Sequence, residues 1–398
     1  MKFMHFSDCH IGGWRDDRIG ELGVKAFKEA INQAIDKNVD FIIIAGDLFN
    51  SALPSIDKLK DVVIALRKLR NKDISCYVIP GSHDFSPSGK TMLDVLEHAE
   101  LLVNVFKGDI IDGKLKLKFT TDKKTGAKIT GILGKKGLLD KKHYEDLDRS
   151  IENEPGFKIF LFHTAISELK PKELERMESV PVSILPKKFD YYAGGHVHII
   201  KKEDVDGYKN VAYAGALFPN NFRELEEFKH GGYYLYDEGK VTWHTINVKD
   251  VEVLNFNCDN KTPNQVEKEI IEKIKTINPE NKIVTMRISG ELAVGKPSDI
   301  KLNEIFGILL HKGAYYVMKS TSLVKYKEFE EVKSNASSIE ETEEKVIKEN
   351  IGQTSLKNEE ELIKNLIKIF SMEKQDGQTR YEFEKNIVED VKKILRLD

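Results

Sequence analysis

Lys2-Phe3-Met4-His5-Phe6-Ser7-Asp8-Cys9-His10 opens the chain with a short β-prone run that ends directly in an Asp-x-His pair. The same arrangement recurs downstream. Gly46-Asp47 follows Phe41-Ile42-Ile43-Ile44-Ala45, and Gly81-Ser82-His83-Asp84 follows Cys76-Tyr77-Val78-Ile79. His163 follows Ile159-Phe160-Leu161-Phe162, and Gly195-His196-Val197-His198 follows Tyr191-Tyr192-Ala193. Ligand-binding groups of α/β sheets gather outside the carboxyl ends of the strands, so these segments can all aim at one crevice. One Asp-x-His means little; a series of polar groups, each at the end of an apolar run, is specific.

Working outward, strands alternate with amphipathic helices from Met1 to about Asn247. Residues 21–37 place Val24, Phe27, Ala30, Ile31, Ala34 and Ile35 on one helical face. Residues 55–70 do the same with Ile56, Leu59, Val63, Leu66 and Leu69, behind Ser55 as N-cap. This alternation predicts a layered α/β domain over 1–247. Residues 114–136, rich in Lys, Thr and Gly, read as a hairpin at the sheet edge. A second unit over 248–326 reads strand–helix–strand–helix–strand: 251–254, 263–276, 283–288, 298–310 and 315–319. It carries no catalytic constellation and suits a lid or recognition role. A polar linker over 327–357 leads to a helix pair over 358–398, separated by Asp376-Gly377. Its apolar faces (Leu362, Ile363, Leu366, Ile367 and Phe370; Phe383, Ile387, Val391, Ile394 and Leu395) must dock on the body or on another chain.

At 398 residues the chain exceeds one comfortable core. No apolar stretch is long enough to span a membrane, and Met1 leads straight into the first ligand-bearing strand, so a cytoplasmic chain is expected. The three cysteines (Cys9, Cys76, Cys258) are scattered, suit a reducing compartment, and build neither zinc site nor disulfide framework. The formal net charge of −3 does not advertise nucleic-acid binding. Lysine doublets at 135–136, 141–142, 187–188 and 201–202 can form a basic rim or plain solvated surface.

Phosphodiester hydrolysis requires neutralising the phosphate and delivering hydroxide in line with the leaving oxygen. Two divalent ions roughly 3.5–4 Å apart do both. A carboxylate–imidazole set without cysteine suits Mn²⁺, Fe²⁺ or Zn²⁺ more than Ca²⁺. Asp8 and His10 would hold one ion with His198, Asp47 would bridge both, and His163 and His196 would hold the second. His83 would assist the transition state or protonate the leaving oxygen. His5, His98, His143, His230, His244 and His311 read as core or surface histidines. Asp16 and Asp17 read as the start of the first helix.

Asp8-x-His10, Gly46-Asp47-Leu48-Phe49, Gly81-Ser82-His83-Asp84, His163 and Gly195-His196-x-His198 resemble the motifs of the calcineurin-like metallophosphoesterases. The Gly-Asp-Leu-Phe variant and Tyr213-Ala214-Gly215-Ala216 resemble the SbcD-type branch, the meiotic recombination eleven nucleases of DNA double-strand-break repair. Protein phosphatases of the superfamily continue the second motif as Gly-Asp-x-x-Asp-Arg-Gly, which Leu48-Phe49-Asn50-Ser51 does not. The resemblance implies a layered β-sandwich metallophosphoesterase core, a small α/β capping domain that positions DNA, and a C-terminal helical tail. It implies Mn²⁺-dependent 3′-to-5′ exonuclease and endonuclease activity on DNA ends. It also implies a homodimer through the helices at 55–70 and 91–100, and an SbcC-type ATPase bound by the tail, at the nucleoid. Where the family's third motif has an Asn whose carboxamide oxygen binds the second metal, this chain has Ser82. A hydroxyl is a shorter and weaker ligand, so a weaker second site with a greater demand for Mn²⁺ follows. The rival readings are a phosphodiesterase or phosphatase for small substrates, and a non-cleaving DNA-end scaffold.

Overall fold

The computed structural model describes residues 1–86, 91–326, 358–372 and 380–395. The chain divides into two compact units, Met1–Lys325 and Tyr326–Asp398. The expected linker over 327–357 and the Asp376-Gly377 turn lie outside the described residues.

The first unit begins β1 (Lys2–Phe6), α1 (Asp17–Asp36), β2 (Phe41–Ala45), α2 (Ile56–Arg70), β3 (Ser75–Ile79), α3 (Met92–His98) and β4 (Val103–Asn104). A hairpin of β5 (Gly108–Ile111) and β6 (Lys114–Leu117) follows, then β7 (Thr120–Thr121), β8 (Lys128–Gly131), α4 (Lys141–Glu145) and β9 (Lys158–Phe162). Next come β10 (Tyr191–Gly194), β11 (Ile200–Val205), β12 (Tyr208–Ala214), α5 (Phe222–Phe228), β13 (Gly231–Asp237) and β14 (Lys240–Ile246). One six-stranded sheet has the order β14-β13-β1-β2-β3-β4, and the other has β11-β12-β10-β9-β8-β7. In each, the inner strands run parallel, and antiparallel strands lie towards the edges.

The apolar runs of the sequence are explained by this sandwich. A strand buried on both faces needs no polar alternation. Along β2, Phe41, Ile43 and Ala45 face the layer between the sheets, where they meet Ile159, Leu161, Tyr191 and Ala193. Ile42 and Ile44 face the other way, onto α1 and α2. On the far sheet, Phe160, Phe162, Tyr192 and Tyr213 build an outer core with Tyr144 and Phe189. Each fully buried large side chain contributes about 1.5–3 kcal/mol.

Asp16 caps α1, accepting from Arg18 N at 2.9 Å. Ser55 stands at the N-cap of α2 but makes no side-chain cap bond. Helix α2 buries Val62, Ala65, Leu66 and Leu69, with the expected Leu59 and Val63 partly buried against the same core, and Ile56 is 82% exposed. Cys9 packs in the helix-side core. The edge hairpin expected at 114–136 becomes two features: β5–β6 starts earlier, at Gly108, and β7–β8 closes the second sheet.

β15 (Val251–Asn257), α6 (Pro263–Thr276), β16 (Ile283–Glu291), α7 (Leu302–His311) and β17 (Tyr316–Lys325) form a three-stranded parallel sheet with two helices and its own core. A Thr262–Gln265 capping box and Pro263 start α6 where the sequence places it. The strands run longer than expected. Helix α7 starts at Leu302 because Pro297–Asp299 form a separate 3₁₀ turn.

In the second unit, α8 (Glu359–Phe370) and α9 (Arg380–Leu395) pack on each other and leave Phe370, Val388 and Leu395 exposed. No helix among the described residues is long and apolar enough to cross a membrane.

Candidate functional site

The carboxyl ends of β1, β2 and β3 in one sheet meet those of β9 and β10 in the other, and the expected residues gather at that seam. Backbone bonds stitch the loops together: Asp8 N donates to Gly46 O at 3.1 Å and His10 N to Asp47 O at 3.0 Å. Other bonds cross between the sheets. His196 N donates to Asp8 Oδ1 at 3.0 Å, and His163 Nδ1 donates to Ala45 O at 2.8 Å. Asp8, His10, Asp47, His196 and His198 all have positive φ, at 51°, 41°, 53°, 91° and 58°. Left-handed backbone costs a non-glycine residue on the order of 1–2 kcal/mol, and such strain clusters where side chains are aimed for function. Glycine is obligatory at Gly46 and Gly81. A Cβ on Gly46, itself at φ +87°, would lie 2.3 Å from His163 Nδ1, and one on Gly81 would lie 2.2 Å from Asp47 Oδ1.

Three sets of potential ligands share this site: Asp8–His10–His198, Asp8–Asp47–His163, and His10–Asp47–His83. His10 Nε2 and His198 Nε2 are 3.1 Å apart, and His163 Nε2 is 3.1 Å from Asp47 Oδ2. Two imidazole nitrogens facing each other this closely share either a proton or a metal ion, and 3.1 Å suits two ligands each about 2.1 Å from one ion. Asp8 and Asp47 are almost wholly buried, and buried carboxylates belong with a cation. The residues therefore fit divalent metal. Ser82 is buried with Oγ 3.5 Å from Asp47 Oδ2. His83 donates its backbone N–H to Asp47 Oδ1 at 2.7 Å, and its Nδ1 meets Asn50 O at 2.9 Å. The His196 ring lies edge-on to His163, centroids 5.2 Å apart, outside the three sets.

Three supporting residues escaped the sequence reading. Glu224, on α5, accepts from His198 Nδ1 at 2.8 Å. Asn50 Oδ1 accepts from His10 Nδ1 at 3.2 Å. These bonds leave each Nε2 directed at the site, the usual way an outer carboxylate or carbonyl orients a metal-binding imidazole. Asp84 accepts backbone N–H bonds from Leu48, Phe49 and Gly81, which locks the loops after β2 and β3 together. Only the spacing Asn221-x-x-Glu224 hinted at Glu224, and it reads as a helix cap.

The electrostatics follow from this packing. Burial works against ionising Asp47, but the His163 charge and hydrogen bond outweigh it and hold the carboxyl well below the usual range. Burial likewise opposes protonation of His163, yet the Asp47 charge raises it to about 10. His198 is raised to about 9 against burial, by Asp8 and the Glu224 bond. His10 and His196 are lowered to about 4, chiefly by burial. Burial, then the Asp47 charge, push Asp84 up.

Several cavities among the described residues adjoin the centre. One, about 300 Å³, is lined by His196, His198, Arg223, Glu224, Met177 and Phe228, among others. Another, about 380 Å³, includes Ser82, His83, Phe85, Lys135 and Lys136. Of the lysine doublets, 135–136 thus reaches the site. Lys188 is tied to Asn153, and Lys201 to Glu203.

The sequence model of the calcineurin-like phosphoesterases matches residues 1–199. The chain belongs to the calcineurin-like phosphoesterases. Metal-dependent chemistry on phosphate esters comes with that family, and the buried carboxylate–imidazole sets are where its ions can be held. Among individual proteins, the DNA double-strand break repair protein Mre11 of Methanococcus maripaludis is 29% identical over 298 residues, covering 71% of this chain and 76% of the relative. Mre11 of Archaeoglobus fulgidus is 28% identical over 244 residues, 57% of this chain and 52% of the relative. Mre11 of Sulfolobus acidocaldarius is 25% identical over 342 residues, 82% of this chain and 84% of the relative.

Proposed function

We propose that this chain is a Mn²⁺-dependent DNA nuclease that processes double-strand breaks. The observation that carries the reading is the convergence of Asp8, His10, Asp47, His163 and His198 at the seam of the sandwich, in a chain whose relatives are double-strand-break repair proteins over most of its length. Asp8, His10 and His198 would hold one ion, Asp47 would serve both, and His163, His196 and Ser82 would hold the second. Such ions would supply charge neutralisation at the phosphate and an activated water. The chain's own residues position and protonate. With Nδ1 donating to Asn50 O, His83 can give an Nε2 proton to the leaving oxygen and stay held as a neutral ring. Lys135 and Lys136 line the neighbouring cavity, where a backbone phosphate would find positive charge.

Residues 248–326 serve as the capping domain that positions DNA. The exposed apolar Ile56, Ile64 and Val95 on α2 and α3 support a homodimer across those helices. The exposed apolar residues of α8 and α9 support docking on an SbcC-type ATPase, at the nucleoid of the cytoplasm.

A hydrolysis comparison tests the proposal. Duplex DNA with Mn²⁺ should be degraded in preference to a mononucleotide diester, and His83→Ala should slow cleavage by about 10²–10⁴. Preference for the mononucleotide diester would place the chain among small-substrate phosphodiesterases instead.

A further inference from the structure

Helix α5 is held from opposite sides by two different parts of the molecule. Phe222 and Glu226, four residues apart, share one face, while Glu224 lies about 200° round the helix from Phe222. Arg287 of β16 grips the first face. Its Nε lies 3.0 and 2.9 Å from the two Glu226 carboxylate oxygens, and its Nη2 donates to Oε2. The guanidinium carbon sits 5.0 Å from the centroid of the Phe222 ring. Nη1 donates to Ser320 Oγ on β17 at 3.4 Å, so the guanidinium is anchored within the small sheet. The Arg287 and Glu226 side chains are only 22% and 13% exposed, which limits screening by water. On the opposite face, Glu224 accepts His198 Nδ1 at 2.8 Å with Oε1 and Asn220 N at 2.7 Å with Oε2.

We propose that Arg287 is a positioning residue for the metal centre: by holding α5 through Glu226 and Phe222, it keeps Glu224 against His198. Displacing the small sheet from α5 loosens the imidazole that completes the Asp8–His10–His198 set. The seat of the small sheet thereby sets the strength of one ion site and leaves the other alone. This rests on the two-ion reading above. Another attachment of the sheet, Tyr315 Oη to Arg18 O at 2.7 Å, falls near the start of α1 rather than on α5, which supplies a control.

The test is a Mn²⁺ titration of the metal-free full-length chain, followed by the electron paramagnetic resonance signal of free Mn²⁺. Alongside it, the magnetic resonance signal of the His198 Nδ1 proton reports ring orientation, and melting curves confirm folding. Direct loss of an outer carboxylate partner weakens metal binding about 10- to 100-fold, so Glu224→Gln should do so at one step. Arg287→Met and Glu226→Gln, one link further out, should weaken the same step by about 3- to 10-fold and shift the His198 signal. Tyr315→Phe should leave both steps unchanged. In the Glu224→Gln background, Arg287→Met should add nothing. The proposal is overturned if Arg287→Met and Glu226→Gln leave both steps intact while Glu224→Gln weakens one, or if the Arg287 and Glu224 losses simply add. If Glu224→Gln also leaves both steps intact, the assignment of His198 as a ligand falls, and the proposal with it.

Discussion

Raising the pH should tighten metal binding steeply, because protons and metal compete for the same imidazole lone pairs. In the metal-free protein both ring nitrogens of His163 face acceptors, Ala45 O at 2.8 Å and Asp47 Oδ2 at 3.1 Å. His198 is placed similarly, with Glu224 at 2.8 Å and Asp8 Oδ1 at 3.5 Å. Burial opposes the charge in both, but the surrounding carboxylates raise His163 to about 10 and His198 to about 9. Each Nε2 aimed at the site therefore carries a proton at pH 7, and an ion must displace it. The penalty is about 1.4 kcal/mol per pH unit below the raised value: roughly 4 kcal/mol at His163 and 3 kcal/mol at His198. Each ion should release about one proton, and its affinity should rise about tenfold per pH unit from neutrality until the pH passes about 9 at the His198 site and about 10 at the His163 site. Calorimetric Mn²⁺ titrations in buffers of differing ionisation enthalpy count these protons. Binding without proton release, at an affinity flat from pH 6 to 8, would refute the reasoning.

Three further outcomes follow from named contacts. Ser82→Asn restores a carboxamide oxygen beside Asp47 and should tighten the weaker Mn²⁺ step in the same titration; an unchanged affinity would remove Ser82 from the second site. Gly81→Ala forces a Cβ to 2.2 Å from Asp47 Oδ1, so one bound ion should be lost and melting lowered by about 1–3 kcal/mol of stability; normal binding would mean the loop yields freely. His5, wholly buried between the sheets, is lowered to about 3 by burial, below its unfolded value of about 6.5. Its neutral form is favoured in the fold, so stability should fall by about 1.4 kcal/mol per pH unit as the pH drops from about 6.5 towards 3. His5→Gln should flatten that slope in acid denaturation, and an unchanged slope would show that His5 is not its source.

The strands and the groups at their ends were legible because inner parallel strands are buried on both faces, which leaves Phe41-Ile42-Ile43-Ile44-Ala45 uninterrupted before Gly46-Asp47. That they divide between two sheets came from the family resemblance and not from the runs themselves, since an apolar run does not say which sheet it joins. On α2, Leu59, Val63, Leu66 and Leu69 pack on the core as the helical period predicts, while Ile56 in the first turn matches the period but stays exposed. His5, read as a core or surface histidine, lies in the core, and only one of its ring nitrogens finds a side-chain partner among the described residues, Tyr191 Oη at 3.0 Å. Glu224 was hidden by its surroundings. It sits in the charge-rich run Arg223-Glu224-Leu225-Glu226-Glu227, and its role depends on a histidine 26 positions away. Neither local period nor capping grammar encodes that distance.

The account is tested most directly by incubating the purified chain, with Mn²⁺, on linear duplex DNA labelled at its 3′ ends, beside Asp8→Ala. It predicts labelled nucleotide released by the wild type and none by the variant, whose loss removes a buried carboxylate from two of the three ligand sets. Equal release by both would assign the cleavage to a contaminant, and no release by either, with a small phosphodiester still hydrolysed, would contradict the DNA-nuclease reading.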